Sequence, residues 1–148
     1  MLISDILRQK TTYRGPVLTI GPGDPVTTLL RLLTEHGIGA LVVVDTDGDT
    51  DEVVGIVSER DVVRQLTDRG ATVLEANVGD IMTSPVLSCA PGDSVDGVAA
   101  TMTERRVRHM PVLDDAQLVG IVSIGDVVFS RMHALEQDRE HLEQYITG

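Results

Sequence analysis

Short apolar runs alternate with helical apolar stripes along this chain, and the order occurs twice. Residues 17–20 and 41–44 are apolar runs of strand length. Residues 53–57 return after a polar stretch in which Asp47-Gly48 offers a turn, so the second and third runs predict a hairpin. Between the first two runs, Val26, Leu29, Leu30 and Leu33 fall at helical spacing and make one apolar face. The turn Gly21-Pro22-Gly23-Asp24-Pro25 leads into that face, with Asp24 placed as N-cap, Pro25 at the first helical position and Gly37 as the stop. Ser58 opens a further helix that runs to about Asp68 and closes at Gly70. The second half repeats the series. Residues 86–89 predict a strand, and Val95, Val98, Ala99 and Met102 a helix face. Residues 110–113 and 118–122 predict a hairpin, and Ser123 opens the last helix. A short helix over 3–7, starting near Ser4 or Asp5, precedes the first half.

The repetition extends to identity. Residues 55–63 read GIVSERDVV and residues 120–128 read GIVSIGDVV, seven of nine positions alike at a spacing of 65. Asp5-Ile6-Leu7 matches Asp80-Ile81-Met82 at 75, while Pro22-Gly23-Asp24 matches Pro91-Gly92-Asp93 at 69. The slips fall around Gln9–Arg14 and Thr46–Asp51, polar stretches of the kind in which surface loops absorb length changes. One β-α-β-β-α unit has been built twice. The expected segments are a first repeat over 1–70, a second over 71–134 and a helical extension over 135–148. In that extension Val128, Met132, Leu135, Leu142 and Ile146 form a heptad-like stripe interrupted by Arg139, open to packing on the protein's own body or against a second copy.

Composition narrows the partners. Half of the 148 residues would bury only about 60% of their surface, against nearly 70% for the whole, so the repeats are expected to pack on each other. With no Trp, one Phe and two Tyr, the core must be aliphatic and methionine-based. The net charge of −11 and the scarcity of aromatics argue against nucleic acid, which needs a basic field or stacking platforms. The longest apolar run, 40–44, cannot span a bilayer, and the amino terminus lacks the pattern of a signal peptide. The expectation is a cytoplasmic protein without membrane association. Cys89 is the single cysteine, so neither an internal disulfide nor a cysteine metal site is expected.

The duplicated Ser-x-x-Asp carries the chemistry. Ser58 with Asp61, and Ser123 with Asp126, have the form of a capping box, in which each side chain satisfies a backbone N–H at the helix start. The same groups suit a ligand: the carboxylate can accept both hydroxyls of a ribose, and free N–H groups at a helix start can meet a phosphate. Both readings stay open on the residues alone. Phosphate calls for cations, since a charge-assisted hydrogen bond contributes about 1.5–3 kcal/mol. Arg60 lies inside the first motif, where the second has Gly125, and Arg105, Arg106 and Arg108 cluster beside His109. The arginine cluster reads equally as a solvated helix end.

The unit order, the turn Pro-Gly-Asp before the helix face, RHMPV at 108–112 and two copies of G-I-V-S-x-x-D together resemble a tandem pair of CBS domains over nearly the whole chain. The resemblance implies a mixed α/β (α+β) fold of two β-α-β-β-α repeats related by a pseudo-twofold axis, with clefts between them. It also implies a regulatory or sensing module for adenosine-containing ligands such as AMP, ATP, NAD(H) or S-adenosylmethionine, commonly a homodimer. It assigns ribose recognition to Asp61 and Asp126, with Ser58 and Ser123 within reach of ribose or phosphate. The base-reading positions of the family match Thr19 with Arg108, His109, Met110 and Pro111, and, in the other copy, Ser88 with Gly39 and Ala40. GALVV at 39–43 stands opposite HMPVL at 109–113 and lacks the proline. No attached effector domain is visible, so a regulated protein would be separate, or self-assembly would be the output.

Other signals fail. In the acidic stretch 45–52, counting from Asp45 puts Thr50 and Ile56 where a calcium loop needs Gly and Glu, and counting from Asp47 puts Glu52 and Ser58 there. Gly21-Pro22-Gly23 is not followed by the Lys-Ser/Thr of a phosphate loop, and the four histidines lack ligand spacing. Cys89 reads as a small core residue. With no nucleophile, base and orienter set apparent, an enzyme is not expected. The competing function is a ligand-free interaction scaffold in which the duplicated motif only caps helices.

Overall fold

A computed structural model describes residues 1–14 and 17–147, with all of their side chains except those of 11–14. Two sheets carry the repeats. The first has β1 (Thr19–Ile20) parallel to β2 (Ala40–Asp45), which pairs antiparallel with β3 (Glu52–Ser58). The second is the hairpin of β4 (His109–Asp114) and β5 (Gln117–Ser123). The helices are α1 (Ile3–Arg14), α2 (Val26–His36), α3 (Glu59–Arg69), α4 (Val78–Ile81), α5 (Val95–Arg105) and α6 (Ile124–Thr147), with a 3₁₀ turn over Gly70–Glu75.

The expected strand over 86–89 shrinks to one parallel bridge between Cys89 and Val112. Pro111 stands where Val42 pairs with Thr19 in the first sheet, and a proline has no N–H to give the next rung. The hairpins align Ala40 with His109, because both bulge at equivalent places, between Val43 and Val44 and between Val112 and Leu113. GALVV therefore sits one residue out of step with HMPVL, and Val42 is the counterpart of Pro111. The tight β4–β5 connection is a two-residue turn with positive φ at Asp115 (48°) and Ala116 (66°), the handedness that suits a twisted hairpin.

Three further expectations change. The first helix does not end near residue 7: its backbone stays helical to Arg14, through the stretch expected to loop. Asp24 does not cap α2. Its Oδ2 accepts the Gly21 N–H at 2.8 Å, closing the turn, and the extended Pro25 precedes the helix without a side-chain cap. Asp93 closes the equivalent turn on Ala90. The α6 stripe does not pack on the body of the protein: Val128, Met132, Leu135, Leu142 and Ile146 are all more than half exposed, from 51% to 82%.

The leading helices are exchanged between the repeats. Ile3 and Ile6 of α1 lie in the second core, with Val95, Val98, Met102, Met110, Val112 and Val122. Val78 and Ile81 of α4 lie in the first, with Val26, Leu29, Leu33, Leu41, Val43 and Val57. The backbone links are reciprocal. Ile3 N–H donates to Asp93 and Val95 N–H to Met1, while Val78 N–H donates to Asp24 and Val26 N–H to Ala76. Each fully buried aliphatic side chain contributes about 1.5–3 kcal/mol, so neither repeat keeps a complete core without its borrowed helix. The duplicated glycines mark the contact. A Cβ on Gly55 would collide with Met82, and one on Gly120 with Leu7.

Candidate functional site

The two Ser-x-x-Asp motifs begin alike. Extended Ser58 caps α3: its Oγ accepts the Asp61 N–H at 3.3 Å, and Asp61 Oδ2 accepts the Ser58 N–H at 2.8 Å. In the second copy Ser123 Oγ accepts the Asp126 N–H at 3.1 Å, and Asp126 Oδ2 accepts the Ser123 N–H at 2.8 Å. The capping role is thus real in both.

Their surroundings differ. The chain leaving α4 runs along the edge of β3, where Thr83 and Ile56 exchange both backbone hydrogen bonds (2.8 and 3.1 Å). This registers the Thr83 hydroxyl to donate to Asp61 Oδ1 at 3.2 Å, while the Ser58 hydroxyl donates to Oδ2 at 3.0 Å. Asp61 is 8% exposed, with protein donors on both oxygens. Its site is sealed from within.

At Asp126 the covering group comes from α1. Lys10 Nζ donates to Asp126 Oδ2 and to the Ile121 carbonyl, both at 2.8 Å. The Lys10 and Asp126 side chains are 21% and 15% exposed. Among the described residues no donor reaches Asp126 Oδ1. Burial pushes the Asp126 carboxyl up, but the Lys10 ammonium and the Ser123 N–H outweigh it and hold the group below its ordinary 3.8.

Beside this pair lies a cleft of about 1440 Å³, larger than the ~300–1,000 Å³ typical of small-molecule sites. Thr19, Gly39 and Ala40 line one wall, and Gly120, Ile121 and Ser123 of β5 the other. Leu7, Lys10 and His109 are also part of the lining. The His109 ring rests on Gly39, where an added Cβ would lie 3.4 Å from Cε1. Burial lowers the His109 pKa, helped by Lys10 and Arg108 and opposed by Asp126 and Glu59, which favours the neutral ring.

The fold thus gathers Thr19, Gly39, Ala40, His109 and Ser123 around one cleft, with Asp126 joined to it through Lys10 and Ser123. Ser58 and Asp61 stand at the sealed position instead. Arg60, Ser88, Arg106 and Arg108 do not line the cleft. Arg106 is the left-handed C-cap of α5 (φ 55°), where α2 has Gly37, and both Arg106 and Arg108 are exposed. Met110 belongs to the second core, and Pro111 is buried, with its carbonyl taking the Cys89 N–H. Cys89 is a core residue as expected, its thiol raised to about 11 by burial and by nearby Asp93. Among the described residues, no cluster of His, Cys, Asp or Glu could hold a metal ion, and no helix is long and apolar enough to cross a membrane.

Lys10 falls in the stretch 9–14, whose polarity reads as a surface loop and hides its part in the site. The signal was present. Ile3, Ile6, Leu7 and Lys10 follow the i, i+3, i+4, i+7 spacing of one helix face, which continues the apolar stripe with a long cation.

The comparisons with known proteins agree with this geometry. A CBS domain model matches residues 3–68 and 78–133. The mitochondrial CBS domain-containing protein CBSX3 of Arabidopsis thaliana is 36% identical over 149 residues, covering 99% of this chain and 72% of that protein. The crystal structure of the CBS-domain containing protein ATU1752 from Agrobacterium tumefaciens is 39% identical, with a TM-score of 0.80 over 88% of this chain and 99% of that one. CBSX2, solved in complex with AMP, is 26% identical (TM-score 0.70, covering 90% and 97%). The CBS domain pair of MJ0100, solved with 5-methylthioadenosine and S-adenosyl-L-methionine, is 28% identical (TM-score 0.74, covering 92% and 98%). Two matched segments, reciprocal helix exchange and a duplicated helix-start motif converge on one conclusion: the chain belongs to the CBS-domain family, as a tandem pair.

Proposed function

We propose that this pair is a regulatory module that binds one adenosine-containing nucleotide (AMP, ATP, NAD(H) or S-adenosylmethionine) in the open cleft. The carrying observation is the difference between the two motif carboxylates. Among the described residues, Asp126 keeps an oxygen without a protein donor, next to the cleft-lining Lys10 and Ser123, whereas both oxygens of Asp61 are taken. In this reading Asp126 accepts the ribose diol, Ser123 assists, and the walls at Thr19, Gly39, Ala40 and His109 hold the base. AMP in CBSX2 and S-adenosyl-L-methionine in the MJ0100 pair support the ligand class. Because the cleft walls come from different repeats, an occupant would fix the repeats relative to each other, and that change is the signal.

The proposal includes a homodimer. The exposed stripe on α6, with Phe129 beside it at 66% exposure, aligns large apolar side chains on one helix, the kind of surface that marks protein–protein contact. Nucleotide binding is tested by thermal unfolding with each ligand. At a hundredfold excess over Kd, stabilisation is about 2.7 kcal/mol, or roughly 5–10 °C for a chain of this size. Asp126→Ala should remove most of that shift. No shift with any of the ligands at millimolar concentration overturns the proposal.

A further inference from the structure

Every charged residue of the open cleft bears on which adenosine ligand it accepts. Lys10 is the only Lys or Arg lining the cleft among the described residues. The other charged lining residues, Asp51 and Asp115, are acidic, on a chain whose net charge is −11. The arginines expected to serve a phosphate, Arg60, Arg106 and Arg108, lie outside it. Among the described residues, an anion entering the cleft therefore has one fixed cation to meet.

Lys10 is placed for that task. Its ammonium has three donors. Two are used, on Asp126 Oδ2 and the Ile121 carbonyl, and the third has no acceptor among the described residues. Among the described residues, the sealed copy of the same motif does without a cation: there the neutral Thr83 hydroxyl meets Asp61. A carboxylate in this setting can be satisfied by a hydroxyl, so capping α6 does not require an ammonium.

We infer that Lys10 is the specificity-determining cation of the cleft, selecting adenosine ligands that carry a 5′-phosphate over those with a neutral or cationic 5′-sulfur group. This rests on the nucleotide reading above and narrows it. The ribose diol engages the open oxygen of Asp126, and the 5′-phosphate takes the free donor of Lys10. A sulfonium at the same place meets like charge, and a thioether offers no acceptor comparable to a phosphate oxygen. One charge-assisted hydrogen bond in a partly buried setting is equivalent to about a ten- to hundredfold difference in affinity.

The test is calorimetric titration of the full chain with AMP and with 5′-methylthioadenosine, in wild type, Lys10→Met and Lys10→Arg. Wild type should prefer AMP at least tenfold. Lys10→Met should lose that preference while still binding 5′-methylthioadenosine, and Lys10→Arg should keep it. Raising the salt from 50 to 500 mM should shrink the wild-type preference, a reading that needs no variant. Equal binding of the two ligands by wild type, an AMP preference that survives Lys10→Met, or a preference indifferent to salt would overturn the role of Lys10 and leave the nucleotide site standing. Binding of neither ligand by wild type would overturn the role of Lys10, and a further lack of thermal stabilisation by ATP, NAD(H) and S-adenosylmethionine would overturn the nucleotide site as well.

Discussion

Replacing Asp61 with Ala separates a structural carboxylate from a ligand-binding one. In the folded protein Asp61 closes the capping box of α3 and ties the linker to the first repeat through Thr83. Loss of a capping interaction costs about 0.5–2 kcal/mol, and a hydrogen bond to an ionised group contributes about 1.5–3 kcal/mol. The two overlap in one side chain, so the expected loss is about 2–4 kcal/mol. For a chain of this length that is a fall of roughly 5–15 °C in Tm. Urea unfolding followed by circular dichroism gives the energy, and repeating it with saturating AMP gives the ligand response. The nucleotide-induced stabilisation should be unchanged in Asp61→Ala. Thr83→Val removes only the hydroxyl, at about 1 kcal/mol, and the double variant should show coupling of about 1–2 kcal/mol between residues 61 and 83. If Asp61→Ala left stability within 0.5 kcal/mol of wild type, or abolished the nucleotide response as Asp126→Ala should, the argument that this site is sealed from within would be wrong.

Two more outcomes follow from the same contacts. Gly55→Ala should destabilise by about 1–3 kcal/mol and more than Gly120→Ala, because its new methyl also meets the Thr83 backbone carbonyl, whereas the atoms nearest a methyl at Gly120 belong to the Leu7 side chain, which can turn; equal losses in unfolding experiments would contradict this. The Asp126 carboxyl titrates below its unfolded value, so its ion pair stabilises the fold above about pH 4 and loses that contribution as pH falls through the lower, folded value. The stability gap between wild type and Asp126→Asn should hold from pH 7 to 5 and narrow toward pH 3, and a gap that widened on acidification would refute the assignment.

The repeat itself was legible from residue order. Two nine-residue strings sharing seven positions, in the same order of neighbouring elements, mark two copies of one unit, and alternation with helical spacing named its elements because backbone geometry is a local property. Local chemistry likewise revealed both capping boxes. Local reasoning erred where a distant partner intervened. Asp24 turned from the expected cap to the Gly21 N–H, in a turn whose carbonyl receives the exchanged helix α4. The strand over 86–89 shortened because Pro111, far along the chain, has no N–H to offer it.

Which carboxylate stays open was decided by tertiary structure alone. Asp61 and Asp126 occupy equivalent places in nearly identical strings, and nothing within either string distinguishes their fates. The difference lies in what crosses over each: a linker strand carrying Thr83 at one, a helix carrying Lys10 at the other. Those residues are 22 and 116 positions from their carboxylates. Secondary structure follows from neighbours in the chain, whereas the seal, the cleft and the placing of Lys10 in it depend on the exchange of leading helices, which buries apolar faces contributed by both repeats at once.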